Sequence, residues 1–245
     1  QVQACRCLHN LYEVNIDSMS SSVDQNIIQI LQDKLQQIDF IDLAEQVLET
    51  LEYLSRIQGK DICRNGEMSI YIRYYDFFTV HAQRKAVYIV TNALTNAIEA
   101  DFVNIKEVFP SLTQIFMNTN DSNVISHILN AYTGVCRNIK NSDQLVSLFL
   151  PSLFDKILQI LSNVDSQLED KFKCINIMTL LVSQCLDLKR HFLRREEPVQ
   201  DIMLCLNVYA KNNSTKINDK LMFVPKKLLL SVTRFITALL PSEED

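Results

Sequence analysis

The string FPSLTQIF at 109–116 returns as LPSLFDKI at 150–157, and the two prolines lie 41 residues apart. Pro tolerates the first turn of a helix because its missing N–H has no intrahelical partner there, so each Pro-Ser-Leu reads as the start of a helix of medium length. Ahead of each lies a short amphipathic piece, DFVNIKEV or SDQLVSLF. Behind each lies a longer one, SNVISHILNAYTGVCRNI or QLEDKFKCINIMTLLVSQCL. A chain that repeats a short, a medium and a long helix cannot bury the apolar face of one unit alone, so the units must stack on their neighbours.

Apolar stripes at helical spacing predict six long helices, at about 1–14, 41–58, 80–98, 122–139, 167–186 and 225–240. Aligned through Leu8, Leu51, Val90, Tyr132, Ile177 and Val232, they are separated by 43, 39, 42, 45 and 55 residues. All but the last spacing fit the period of roughly 40–47 expected of armadillo and HEAT repeats. The polar insert KNNSTKINDK at 211–220 reads as a loop that stretches the last. Ser22 with Gln25, and Ser166 with Glu169, have the spacing of helix-start capping boxes. Gly66 suits a helix stop. The expected architecture is therefore all-α: an armadillo/HEAT-like, right-handed superhelical solenoid of about five to six repeats. It forms one domain over 1–245, with the first repeat incomplete. The chain begins at Gln1 already inside helical periodicity, which reads as a piece of something longer.

Composition agrees with this and narrows function. Only three Gly occur, which leaves few places for tight hairpins, and 47% hydrophobic with 22% charged residues is the balance of a folded chain. A formal net charge of −5 offers no broad basic field for phosphates, so nucleic acid is not the expected partner. No apolar run has the roughly 18–20 residues needed to span a bilayer, so no membrane role is expected either. The seven Cys are scattered through apolar helical stretches, the pattern of reduced thiols in the cytoplasm or nucleus.

Catalytic chemistry finds little support. CRCLH places Cys5, Cys7 and His9 within five residues, but positions two apart point away from each other on a helix and the paired spacing of zinc sites is missing. His81, His127 and His191 stand in no nucleophile motif, and no glycine loop could cradle a phosphate. No metal or other cofactor is expected. In YIRYYDFF (71–78), read as a medium helix and its exit, Phe77 and Phe78 are expected in the core and at least one of Tyr71, Tyr74 and Tyr75 outside it. The basic run Lys189, Arg190, Arg194, Arg195 and the acidic series Asp39, Asp42, Glu45, Glu49, Glu52 read as solvated faces, with docking of a charged partner as the alternative.

QACRCLHNL (3–11), IDLAEQVLETLEYLSR (41–56) and YYDFFTVHAQRKAV (74–87) resemble the armadillo-like N-terminal region of the ubiquitin fusion degradation class of HECT-type E3 ubiquitin ligases. The resemblance is densest over the first hundred or so residues. It implies a catalytic Cys in a HECT domain outside this chain, and for this chain a non-catalytic part in recognising substrate or ubiquitin. No contact residues carry over from the family.

Candidate binding residues come from the long helices instead, since the third helix of such repeats lines the extended binding surface. Beside the apolar stripe of 80–98, Arg84, Tyr88, Asn92 and Asn96 recur every four residues. Alignment adds Arg6, Asn10, Glu49, Tyr53, Asn130, Arg137, Thr179 and Arg234. Tyr and Arg are frequent interface anchors, and the polarity argues against an apolar ligand. Importin-type armadillo proteins grip basic peptides with arrays of Trp and Asn, and this chain has no Trp. The expected partner is ubiquitin or a ubiquitinated substrate, with an E2 or proteasome subunits as further candidates; the alternative role is a docking scaffold for a degron peptide or the proteasome.

Overall fold

The computed structural model describes residues 1–14, 25–36, 40–65, 67–149, 151–163, 165–194, 200 and 226–240. All regular elements among these residues are α- or 3₁₀-helices: α1 (Val2–Val14), α2 (Gln25–Leu35), α3 (Ile41–Arg64), α4 (Val80–Asn96), α5 (Phe102–Asn118), α6 (Ser122–Asn138), α7 (Ser142–Leu148), α8 (Pro151–Ser162), α9 (Leu168–Gln184), α10 (Leu186–Leu193) and α11 (Lys226–Leu239). They fall into two compact units, Gln1–Asn138 and Ile139–Asp245. Among the described residues no single helix is long and apolar enough to cross a membrane.

In the first unit α1, α3, α4 and α6 lie side by side. Contacts between neighbours advance in the same direction along both members, from Thr79–Glu45 through Lys85–Glu52 to Asn92–Ser55, so the helices run parallel. Each contributes one buried stripe, such as Leu43, Val47, Leu51 and Leu54 of α3 and Ala86, Val90, Ala93 and Leu94 of α4. The second layer is α2, the 3₁₀ turn Met68–Tyr71 and α5. Buried Gln32 of α2 ties it together by donating to the Tyr71 hydroxyl and the Asn65 carbonyl.

Long helices begin and end within two residues of expectation, apart from α3. That helix runs on to Arg64 but carries non-helical dihedrals at Gln58 (φ −117°, ψ 35°), the position where its first straight segment was expected to stop. Gly59 follows, and a Cβ there would lie 2.8 Å from the Asn92 carbonyl oxygen of α4. Gly134 of α6 packs on α4 in the same way, with an added Cβ 2.8 Å from Thr95 Cα. These glycines serve close approach of backbones, not turns.

Three expectations are corrected. DFVNIKEV and FPSLTQIF form one helix, α5, with Pro110 in its interior; Ile105, Val108, Phe109, Leu112 and Phe116 make one continuous buried stripe that holds the two halves in line. The second copy of the motif does break, and Pro151 is the first residue of α8. YIRYYDFF is not a medium helix but part of two 3₁₀ turns, Met68–Tyr71 and Tyr75–Phe77. Ile70, Tyr71 and Ile72 are all buried, and three successive buried side chains cannot share one α-helical stripe. Phe78 is in the core, whereas Phe77 is 71% exposed. Finally, α9 is capped at Gln167 without a side-chain bond, one residue after the expected Ser166, and Glu169 turns to Lys227 instead. Ser22, Gly66 and the insert 211–220 lie outside the described residues.

In the second unit α9 packs against α8, α10 and α11. Phe192 and Phe235 meet edge to face, and Lys189 of the basic run is buried with its ammonium donating to the Leu240 carbonyl at the end of α11. Arg190 lies 3.8 Å from Asp187, and Arg194 is exposed. Arg195 lies outside the described residues.

Candidate functional site

The first turn of α4 is fixed by Thr79, whose hydroxyl accepts from the Ala82 N–H while its own N–H donates to Glu45 of α3. This sets the rotation of α4 so that Ala86, Val90, Ala93 and Leu94 face the core. Arg84, Tyr88, Asn92 and Asn96 then share the opposite flank, one helical turn apart.

That flank is a cross-helix ladder. Arg84 Nε lies 2.6 Å from Asp121 Oδ2 at the start of α6. The ring of Tyr88 stacks on His127 of α6, centroids 3.7 Å apart and planes 23° from parallel. Asn92 Nδ2 donates to Ser55 Oγ of α3 at 2.8 Å, and Asn96 Nδ2 donates to the Asn92 carbonyl. Three of the four residues bridge to neighbouring helices, and only their outer edges face solvent.

The ladder continues toward α1. Arg6 Nε donates to Gln46 Oε1 at 3.0 Å, and His9 stands edge-on to Tyr53, over which the Arg56 guanidinium lies 5.9 Å from the ring centroid. Glu49 is near both His81 (3.7 Å) and Lys85 (3.8 Å). Asn10, Asn130 and Arg137 are exposed. In the second unit, the Thr179 hydroxyl donates to the Ile175 carbonyl within α9, and Arg234 is exposed on α11.

Two carboxylates anchor this surface: Glu52, which sequence patterning read as part of a solvated acidic face, and Asp121, which it did not single out. Glu52 is buried and receives Arg56 Nε at 2.8 Å and Lys85 Nζ at 3.0 Å. Burial alone would raise its carboxyl, but the hydrogen bonds and charges of Arg56 and Lys85 outweigh burial and hold it below the usual carboxylate range. Asp121 is held low in the same way, burial being outweighed by Arg84 and by the N–H groups of Val124 and Asn123. The acidic series on α3 is thus largely a seam with α4. Glu45, Glu49 and Glu52 all face α4 partners, Asp42 stays exposed, and Asp39 lies outside the described residues. Glu52 and Arg56 stand four apart, the one signal that could have marked this pair in advance.

The chemistry available here is recognition by hydroxyl, amide, phenol and guanidinium groups. Among the described residues no group of three or more His, Cys, Asp or Glu side chains is arranged to hold a metal ion. The Cys63 thiol is pushed up to about 12, by burial first and by the charge of Asp101 second.

No family model matches the chain. It is 42% identical over its full 245 residues to ubiquitin fusion degradation protein 4 of Saccharomyces cerevisiae, of which it covers 16%. It is 26% identical over 244 residues to a probable ubiquitin fusion degradation protein of Schizosaccharomyces pombe, covering 15% of that protein. Against E3 ubiquitin-protein ligase TRIP12 of Danio rerio it is 27% identical over 227 residues, 91% of this chain and 11% of the ligase. The chain thus spans about one sixth or less of the length of these relatives. Among solved structures, an engineered protein superposes with a TM-score of 0.69 at 13% identity, over 98% of this chain and 90% of that one. A designed armadillo repeat protein, in complex with the peptide (KR)4, gives 0.63 at 12% identity over 97% and 92%. The fold is thereby an all-α, armadillo-like solenoid, and over its full length the chain is similar to one region of the ubiquitin fusion degradation proteins, relatives that include an E3 ubiquitin-protein ligase.

Proposed function

We propose that this chain is a non-catalytic recognition module that holds ubiquitin or a ubiquitinated substrate while a catalytic Cys, carried elsewhere in the parent ligase, extends the chain. Holding the substrate raises its effective concentration at the distant Cys, so a weak contact suffices when a second site acts with it. The observation that carries this reading is the continuous polar edge across α1, α3, α4 and α6. It presents Arg6, Asn10, Tyr53, Asn96, Asn130 and Arg137 on a scaffold in which Arg6, Arg84 and Asn92 are already bonded to neighbouring helices. A surface pre-organised in this way loses little side-chain entropy on binding. An E2 or proteasome subunits could share the surface, and the site of action would be the cytoplasm or nucleus.

The test is an NMR titration of isotope-labelled ubiquitin, single and in linked pairs, with the chain. Arg84, Tyr88 and Asn92 also join helices, so the informative variant changes exposed positions: Asn10→Ala, Asn130→Ala and Arg137→Glu together. The expected result is ubiquitin shifts with the parent chain that disappear with the triple variant. Shifts that persist unchanged, or none with the parent chain, would refute the assignment.

A further inference from the structure

In the second unit the N-terminus of α9 is uncapped. Gln167 stands at the cap position and makes no side-chain hydrogen bond there. Its carbonyl accepts the N–H groups of Asp170 and Lys171, while those of Leu168 and Glu169 bond to nothing among the described residues. Unbonded N–H groups, with the aligned peptide dipoles behind them, attract negative charge to a helix start. Lys171 lies one turn further on, four residues after Gln167. It is only 6% exposed, and its ammonium has no hydrogen bond or ion pair among the described residues. Side chains of a helix lean toward its N-terminus, so this cation is aimed back over the uncapped turn.

The acids of that turn are already matched. Glu169 receives Lys227 at 3.2 Å and Asp170 receives Lys173 at 3.2 Å, which leaves Lys171 without a counter-charge. Asp165, two residues ahead of Gln167, is exposed and bonds to neither the first turn nor Lys171. In the first unit a comparable arrangement is filled. There one carboxylate, Asp121, accepts the N–H groups of Asn123 and Val124 at the start of α6 and pairs with Arg84. Counted from the alignment points Val90 and Ile177, Lys171 is the counterpart of Arg84. The next long helix after α9 opens with Lys226 and Lys227 instead of an acid, so no such partner comes from α11. A buried ammonium without a partner costs stability, and a ligand that brings the missing charge would offset that cost.

We infer that the start of α9 and Lys171 together bind a carboxylate of a partner protein, either an acidic side chain or a chain end. One carboxylate oxygen accepts from the Leu168 and Glu169 N–H groups and the other from the Lys171 ammonium. A single negative charge matches the one unpaired cation, whereas a phosphate dianion carries a second charge with no cation to meet it. The site lies in the second unit and does not rest on the ubiquitin reading, which concerns the first.

The test follows the backbone amide signals of Leu168 and Glu169 by NMR while the whole chain, isotope-labelled, is titrated with short acetylated peptides of Gly and Ser. The first peptide carries one Glu and an amidated end, the second no Glu and a free C-terminal carboxylate, and the third one Gln and an amidated end. Saturable shifts are expected with the first, the second or both, which tells side chain from chain end, and none with the third. Lys171→Met should weaken binding by about tenfold or more while keeping or raising the thermal midpoint, because Met fills similar space without a buried charge. Gln167→Asp places a carboxylate at the cap position, and should raise the midpoint and abolish the response to both carboxylate peptides. No saturable shifts with either carboxylate peptide, equal shifts with the Gln peptide, undiminished binding in either variant, or a lowered midpoint in Lys171→Met would overturn the inference.

Discussion

Arg84 of α4 places its Nε 2.6 Å from Oδ2 of Asp121, while the other oxygen of that carboxylate accepts the backbone N–H groups of Asn123 and Val124 in the first turn of α6. One side chain therefore caps a helix and fastens that helix to its neighbour. The two roles separate by mutation. Asp121→Ala should lose about 1 kcal/mol for the cap and, in addition, whatever the solvent-screened pair with Arg84 contributes. Arg84→Ala should lose only the second part. Urea midpoints of the two variants check this, and equal losses would mean that the cap contributes nothing.

Glu52 predicts how the first unit responds to acid. Its folded-state value lies below the ordinary 4.5, so its contribution is complete above that value and is lost as pH falls from 4.5 through the lowered folded value. Glu52→Gln should flatten the acid limb of a plot of thermal midpoint against pH. Lys85→Met removes one of the two cations that oppose burial, so the folded value rises toward 4.5 and the acid loss should shrink and finish at higher pH. An acid limb of unchanged slope in Glu52→Gln would place the titrating group elsewhere.

Gly134→Ala tests the contact between α4 and α6. In an open helix the change would gain about 1 kcal/mol of helix propensity. Here the new Cβ would lie 2.8 Å from both Thr95 Cα and Thr95 O, backbone atoms that cannot swing away. Overpacking of this kind costs about 1–3 kcal/mol, so net destabilisation is expected. A variant as stable as the parent in chemical denaturation would show that the helices are not so close.

The two prolines of the repeated motif should behave oppositely. Pro110 is inside α5, where it removes a hydrogen bond, so Pro110→Ala should raise the thermal midpoint by an amount equivalent to about 1 kcal/mol or more. Pro151 opens α8, where Ala offers no extra bond, and its replacement should change stability by less than about 0.5 kcal/mol.

These cases also show where sequence patterning works. The long helices were legible because one apolar stripe per helix, at a period near 42 residues, leaves little freedom in placing Leu51, Val90 or Tyr132. The continuity of α5 was not, because Pro-Ser-Leu is compatible with a start or an interior and the decision lies in what Leu112 and Phe116 pack against. Tyr71 through Phe78 failed as a helix because clustered aromatics carry no period that separates 3₁₀ from α. For the candidate surface, spacing found the flank of Arg84, Tyr88 and Asn92 but not its partners. Asp121, His127 and Ser55 lie 37, 39 and 37 residues away in sequence, and their pairing is a product of stacking.

The two glycine contacts fall on one short stretch of α4, Asn92 to Asn96, and there the helices touch backbone to backbone. Toward the other end of α4 the same helices are joined by long side chains, Lys85 to Glu52 and Arg84 to Asp121. Touching backbones tolerate almost no sliding, while long side chains can re-aim through their rotamers. The row of helices is thus built like a hand fan, with its rivet at the glycines and side-chain tethers, Glu45 to Thr79 among them, at the N-terminal ends. Backbone amides near Thr79 and Asp121 should then exchange with solvent faster than those near Thr95, and a partner that spans the ladder would tighten the open end while leaving the rivet unchanged.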